Sequence, residues 1–89
     1  MSRPRILLAD DHRIVAEGLK GLLEVEFELV GIVEDGRSLL EAAARLRPDV
    51  IVTDLTMPNL NGIEALQRLR EEHPRIRVVV LTMHRDVAY

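Results

Sequence analysis

Asp10, Asp11, Asp54 and Thr82 each stand directly after a short apolar run, and that placement sets the chemistry open to this chain. Asp10-Asp11 follow Arg5–Ala9, Asp54 follows Val50–Thr53, and Thr82 follows Arg77–Leu81. Short continuous apolar runs are expected for strands buried on both faces of a parallel sheet. The carboxyl ends of such strands share one rim. With strand order 2-1-3-4 the connection reverses between strands 1 and 3, and the crevice at that point is where open α/β sheets bind ligands. Three carboxylates at close range repel one another, so at least one pKa must rise unless a positive charge compensates. Mg²⁺ is the natural compensation, because it prefers oxygen ligands and takes one or two carboxylates together with a phosphate. A carboxylate can also attack phosphorus and form an aspartyl phosphate. A hydroxyl on the same rim, such as that of Thr82, could then donate a hydrogen bond to the phosphoryl group.

Each of these residues also has a plainer reading. An acidic pair after a strand is often only a helix N-cap. Thr82 could simply end a β-branched strand. His12, alone in the first turn of a helix, is expected to be a surface residue rather than a metal ligand or phosphoryl carrier. His84 suits either a solvent-exposed position or a place where it controls water access near Thr82. Glu24, Glu26 and Glu28 are expected to form a solvated turn.

The elements that must position the rim alternate along the chain. A further apolar run, Glu28–Val33, supplies the remaining strand. In His12–Glu24 the apolar residues Val15, Leu19 and Leu22 repeat with helical spacing. Arg37–Leu46 does the same with Leu39, Ala43 and Leu46, widened by Leu40 and Ala44, and Pro48 prevents its continuation. Asn61-Gly-Ile-Glu64 resembles a capping box that opens a third helix, with Ile63, Leu66 and Leu69 on its apolar side. The order is β-α-β-α-β-α-β with a possible helical turn at Arg85–Tyr89. That alternation predicts an α/β domain with a parallel sheet and right-handed crossovers.

Three segments together resemble the receiver domain of bacterial two-component response regulators. Leu7-Leu8-Ala9-Asp10-Asp11-His12 looks like the family's acidic pair. Asp54-Leu55-Thr56-Met57-Pro58-Asn59-Leu60-Asn61-Gly62 is similar to its D-x-x-M-P-x-x-x-G segment. Val78-Val79-Val80-Leu81-Thr82 is similar to the strand that ends in its switch threonine. The run Leu81-Thr82-Met83-His84 resembles receivers that precede a LuxR/NarL-type helix-turn-helix domain. The resemblance implies a flavodoxin-like three-layer sandwich with strand order 2-1-3-4, and one receiver domain over residues 1–89. It implies Asp54 as the phosphoacceptor. It implies Asp11, Asp54 and the main-chain carbonyl of Thr56 as direct Mg²⁺ ligands, with Asp10 acting on the metal through water and Thr82 contacting the phosphoryl group. It also implies a sensor histidine kinase as phosphoryl source.

The resemblance departs from the family at the carboxyl end. A receiver has a fifth strand and a fifth helix, and a lysine at the end of that strand which pairs with the phosphoryl group. The chain has 89 residues with eleven arginines and one lysine, Lys20, which lies on the first helix and cannot take that role. The expectation is therefore a receiver truncated after the fourth strand, with slow phosphorylation. An open fourth-strand edge favours pairing with another chain, so a homo-oligomer is expected.

Composition removes other classes. Hydrophobic residues make up 47% and charged residues 30%, which is globular and not disordered. The net charge of −3 offers no nucleic-acid surface, so DNA would be reached only through an output domain not contained here. There is no cysteine, hence no disulfide or thiolate site. No apolar run approaches the ~20 residues of a membrane span, and no signal peptide is evident, so a cytoplasmic location is expected. A cobalamin-binding module of similar fold would need D-x-H-x-x-G, and Val15 stands where its glycine belongs. A receiver-like dimerisation module that works without phosphate is the other alternative.

Overall fold

A computed structural model of the chain describes residues 3–54 and 62–81. Thr56, Met57, Pro58, Asn61, Thr82, His84 and the expected turn at Arg85–Tyr89 lie outside the described residues. The elements run β1 (Arg5–Ala9), α1 (Arg13–Leu23), β2 (Glu28–Val33), α2 (Gly36–Leu46), β3 (Val50–Asp54), α3 (Gly62–Glu72) and β4 (Arg77–Leu81). All pairings are parallel and the order is β2-β1-β3-β4, as expected.

Alternation along the strands sorts the core onto two faces. Leu7, Ala9 and Ile51 pack with Leu39, Ala42 and Ala43 of α2 and with Ala65 and Leu69 of α3. Ile6, Leu8 and Val52 pack on the other face with Ala16 of α1, joined by Leu19, Leu23 and Phe27. Helices on both faces of one sheet make the three-layer arrangement. Burial of a leucine of this kind stabilises the fold by roughly 1.5–3 kcal/mol.

Two helix faces differ from the sequence expectation. Leu22 does not join the core; it is 73% exposed, and Leu23 packs inward in its place. The inward stripe of α1 is thus Ala16, Leu19 and Leu23, spaced i, i+3, i+7. In α2, Ala44 is exposed and Ala42 is buried. Both segments carry adjacent apolar residues, so either phase fits the period.

Local chemistry fixes the ends of α2. The Asp35 carboxylate accepts the Ser38 N–H at 2.7 Å and caps the start. The end turns through Arg47 at φ 46°, in the left-handed region. The guanidinium of Arg5 donates to the carbonyls of Leu46 at 2.7 Å and Arg47 at 3.3 Å, which satisfies groups the helix leaves unpaired. Gly31 of β2 lies where α2 comes closest: a Cβ there would stand 3.3 Å from the Cδ1 atoms of both Leu46 and Leu7.

Candidate functional site

The register brings the carboxyl ends of the strands level with one another. Ala9 pairs with Thr53, so Asp10 and Asp54 are neighbours across the β1–β3 junction. Asp54 in turn pairs with Leu81, the last residue of β4. Asp10 and Asp54 stand two residues beyond Leu8 and Val52, which pack on the α1 face. The two carboxylates therefore lie at the end of the sheet where α1 begins.

Both are buried, with 3% of Asp10 and 4% of Asp54 exposed. The Asp10 main-chain N–H donates to the Val33 carbonyl at 2.9 Å, which holds the end of β1 beside β2. The Asp10 carboxylate oxygen Oδ1 accepts the main-chain N–H of His12 at 2.8 Å. That bond forms the turn between β1 and α1. His12 is the N-cap residue of α1, and its side chain makes no cap bond. The N-cap position weighed for the acidic pair falls instead to His12; Asp10 shapes the turn before it and faces the rim as well.

The turn has a consequence for His12. Its side chain is 50% exposed, yet the ring nitrogen Nδ1 lies 3.1 Å from Asp10 Oδ1, 3.1 Å from Asp11 Oδ1 and 3.7 Å from Asp54 Oδ2. His12 is a surface residue, as expected, and its Nδ1 also borders the acidic group. Asp10, Asp11, His12 and Asp54 each offer a ligand atom, all within 4.8 Å of one another. Sequence could have signalled this only through the three-residue run Asp-Asp-His, because the contact depends on the path of the turn.

The arrangement fits a hard divalent cation. The Asp11 side chain is 30% exposed, but its Oδ1 is buried and accepts no hydrogen bond from the described residues. His12 Nδ1 is near it at 3.1 Å without the alignment of a hydrogen bond. A buried carboxylate oxygen in that state is costly unless a positive charge meets it. The oxygen-rich set matches Mg²⁺, which needs few protein ligands and retains water. Lys20 lies in the last turn of α1, at the end of the helix remote from His12.

Residues 6–89 match the response regulator receiver domain family, and the chain belongs to that family. It is 41% identical over 87 residues to the transcriptional regulatory protein DegU of Brevibacillus brevis, covering 96% of this chain and 37% of that protein. It is 39% identical to a protein-glutamate methylesterase/protein-glutamine glutaminase of Geobacter metallireducens, covering 92% of this chain and 24% of that protein. The receiver domain of the response regulator NarL from Mycobacterium tuberculosis superposes with a TM-score of 0.89 at 28% identity, covering 99% of this chain and 73% of that one. RcsB of Salmonella typhimurium gives 0.86 at 32% identity, covering 94% and 44%. DegU, NarL and RcsB are response regulators of the LuxR/NarL type, and the sheet order and helices of this chain match the flavodoxin-like receiver fold. The chain spans about two-fifths of the length of the first transcriptional regulators it matches.

Proposed function

We propose that this chain is the phosphoacceptor of a two-component signalling pathway and that Asp54 carries the phosphoryl group. The observation that carries the reading is the buried Asp54 beside Asp10 and Asp11 on the rim at the carboxyl ends of the paired strands β1 and β3. An Asp54 carboxylate oxygen attacks phosphorus, and the bond between phosphorus and the imidazole nitrogen of a sensor kinase phosphohistidine breaks. The electron pair goes to that nitrogen, and the product is a mixed anhydride on Asp54.

Asp11, Asp54 and the Thr56 carbonyl would hold Mg²⁺ directly, and Asp10 through water. Mg²⁺ supplies positive charge to the phosphoryl oxygens, where catalysis of phosphoryl transfer is mainly positioning and electrostatics. Asp10 orients the site, since its carboxylate is already fixed by the His12 N–H. Thr82, which follows the Asp54 partner Leu81, would donate its hydroxyl to the phosphoryl group. Residues 1–89 act as one receiver domain in the cytoplasm; among the described residues no helix is long and apolar enough to cross a membrane. The output is transcriptional control through a DNA-binding domain, supported by relatives such as DegU. Self-association is part of the reading. Among the described residues β4 pairs with β3 alone, and its Val79 and Val80 are exposed.

Incubation with a small-molecule acyl phosphate, followed by intact mass, tests the proposal. A single added phosphoryl group is expected with Mg²⁺, none with EDTA, and none in Asp54→Asn. Phosphorylation of Asp54→Asn to the level of the unaltered chain would overturn it.

A further inference from the structure

We propose that His12 Nδ1 is a ligand in the same metal site, and that it widens the site from Mg²⁺ to ions that accept imidazole, such as Mn²⁺, Co²⁺ and Ni²⁺. The inference rests on the metal site proposed above and concerns one further residue in it.

Geometry is the first support. Ligand atoms ~2.1 Å from an ion stand ~3.0 Å apart at a right angle and ~3.4 Å apart in a tetrahedron. His12 Nδ1 lies 3.1, 3.1 and 3.7 Å from oxygens of Asp10, Asp11 and Asp54. The 3.1 Å to Asp11 is the separation of two ligands at a right angle on one ion, and the 3.7 Å to Asp54 lies within the ~4.2 Å span of such an ion. The 3.1 Å to Asp10 is a hydrogen bond that holds the ring at the site. The orphaned oxygen Asp11 Oδ1 is one of the three. The second support is the backbone. The bond from the His12 N–H to Asp10 Oδ1, 2.8 Å long, fixes the residue that carries the ring, so the imidazole meets the ion without rebuilding the turn. The third is chemistry. An all-oxygen site suits Mg²⁺, whereas one imidazole added to carboxylates favours later divalent ions, whose affinities rise from Mn²⁺ through Co²⁺ to Ni²⁺. The His12 side chain is 50% exposed, so an ion can reach it from solvent.

Competitive titration of the unaltered chain, His12→Gln and His12→Phe with Mg²⁺ and with Ni²⁺ tests this. Pulsed EPR of the Mn²⁺-loaded proteins gives a readout independent of affinity. We expect both substitutions to lower Ni²⁺ affinity by about ten- to a hundredfold, the range seen when groups that support a metal are removed. Mg²⁺ affinity should change by less than about threefold, because Mg²⁺ favours oxygen. The ¹⁴N coupling of the Mn²⁺ form should disappear in both variants. Circular dichroism and the retained Mg²⁺ affinity report that the variants fold. Unchanged Ni²⁺ affinity in both variants, or no ¹⁴N coupling in the unaltered chain, would overturn the role of His12 while leaving the Mg²⁺ site standing. Loss of Ni²⁺ binding in Asp11→Ala is expected too; its persistence there would mark the ion as bound at His73, His84 or the amino terminus and overturn the assignment. Absence of both Mg²⁺ and Ni²⁺ binding in the unaltered chain would overturn the metal site itself and this inference with it.

Discussion

Asp10 Oδ1 accepts the main-chain N–H of His12 at 2.8 Å and lies 3.1 Å from Nδ1 of the same residue. One buried carboxylate therefore shapes the β1–α1 turn and brings an imidazole to the acidic rim. Asp10→Asn keeps an acceptor for the turn and removes one negative charge from beside Asp11 and Asp54. Relief of that repulsion is expected to stabilise the metal-free protein by on the order of 1–2 kcal/mol. Urea denaturation in EDTA measures it. The gain should shrink in Mg²⁺, where the ion already neutralises the group.

Mg²⁺ binds the folded site and not the unfolded chain, so it should raise stability by mass action. With a dissociation constant of ~1 mM, as expected for so few direct ligands, 10 mM Mg²⁺ adds about 1.4 kcal/mol. Thermal denaturation with and without Mg²⁺ reads this directly. Asp11→Ala should abolish the increment, and an equal increment in that variant would place the ion elsewhere.

Leu39, buried as the sequence pattern expects, and Leu22, exposed against it, give a paired test. Leu39 is fully buried among Leu7, Ile51 and Leu69, so Leu39→Ala should destabilise by roughly 2–5 kcal/mol. Leu22 is exposed, so Leu22→Ala should stay within about 0.5 kcal/mol. A large loss for Leu22→Ala in urea denaturation would show that its face of α1 is covered.

Leu22 and its neighbour Leu23 show what the sequence could specify. The four strands were legible because each is a short apolar run between polar residues, and their order came with the resemblance to receiver domains. The phase of α1 was not. Leu22 and Leu23 are adjacent, and only the packing of Ala16, Leu19 and Leu23 against Ile6 and Leu8 decides between them. Asp10, Asp11 and Asp54 were legible as one group because strand ends share a rim. His12 was not, because its place depends on a side-chain-to-backbone bond two residues long.

Gly31 tests the close approach of α2 to the sheet. A Cβ would press on the tips of Leu46 and Leu7 at 3.3 Å. These tips can give slightly, so Gly31→Ala should be mild, while Gly31→Val should destabilise by about 1–3 kcal/mol. Mg²⁺ affinity should hold in both variants, since β2 contributes no carboxylate to the site. Equal stability of Gly31→Val and the unaltered chain would contradict the packing.

The most direct measurement is the chemical identity of the phosphorylated residue. An acyl phosphate on aspartate is reduced by borohydride to homoserine, which peptide mass spectrometry locates. After treatment with an acyl-phosphate donor and Mg²⁺, homoserine is expected at position 54, with unaltered aspartates at positions 10 and 11. Homoserine at position 10 or 11, with Asp54 intact, would contradict this expectation.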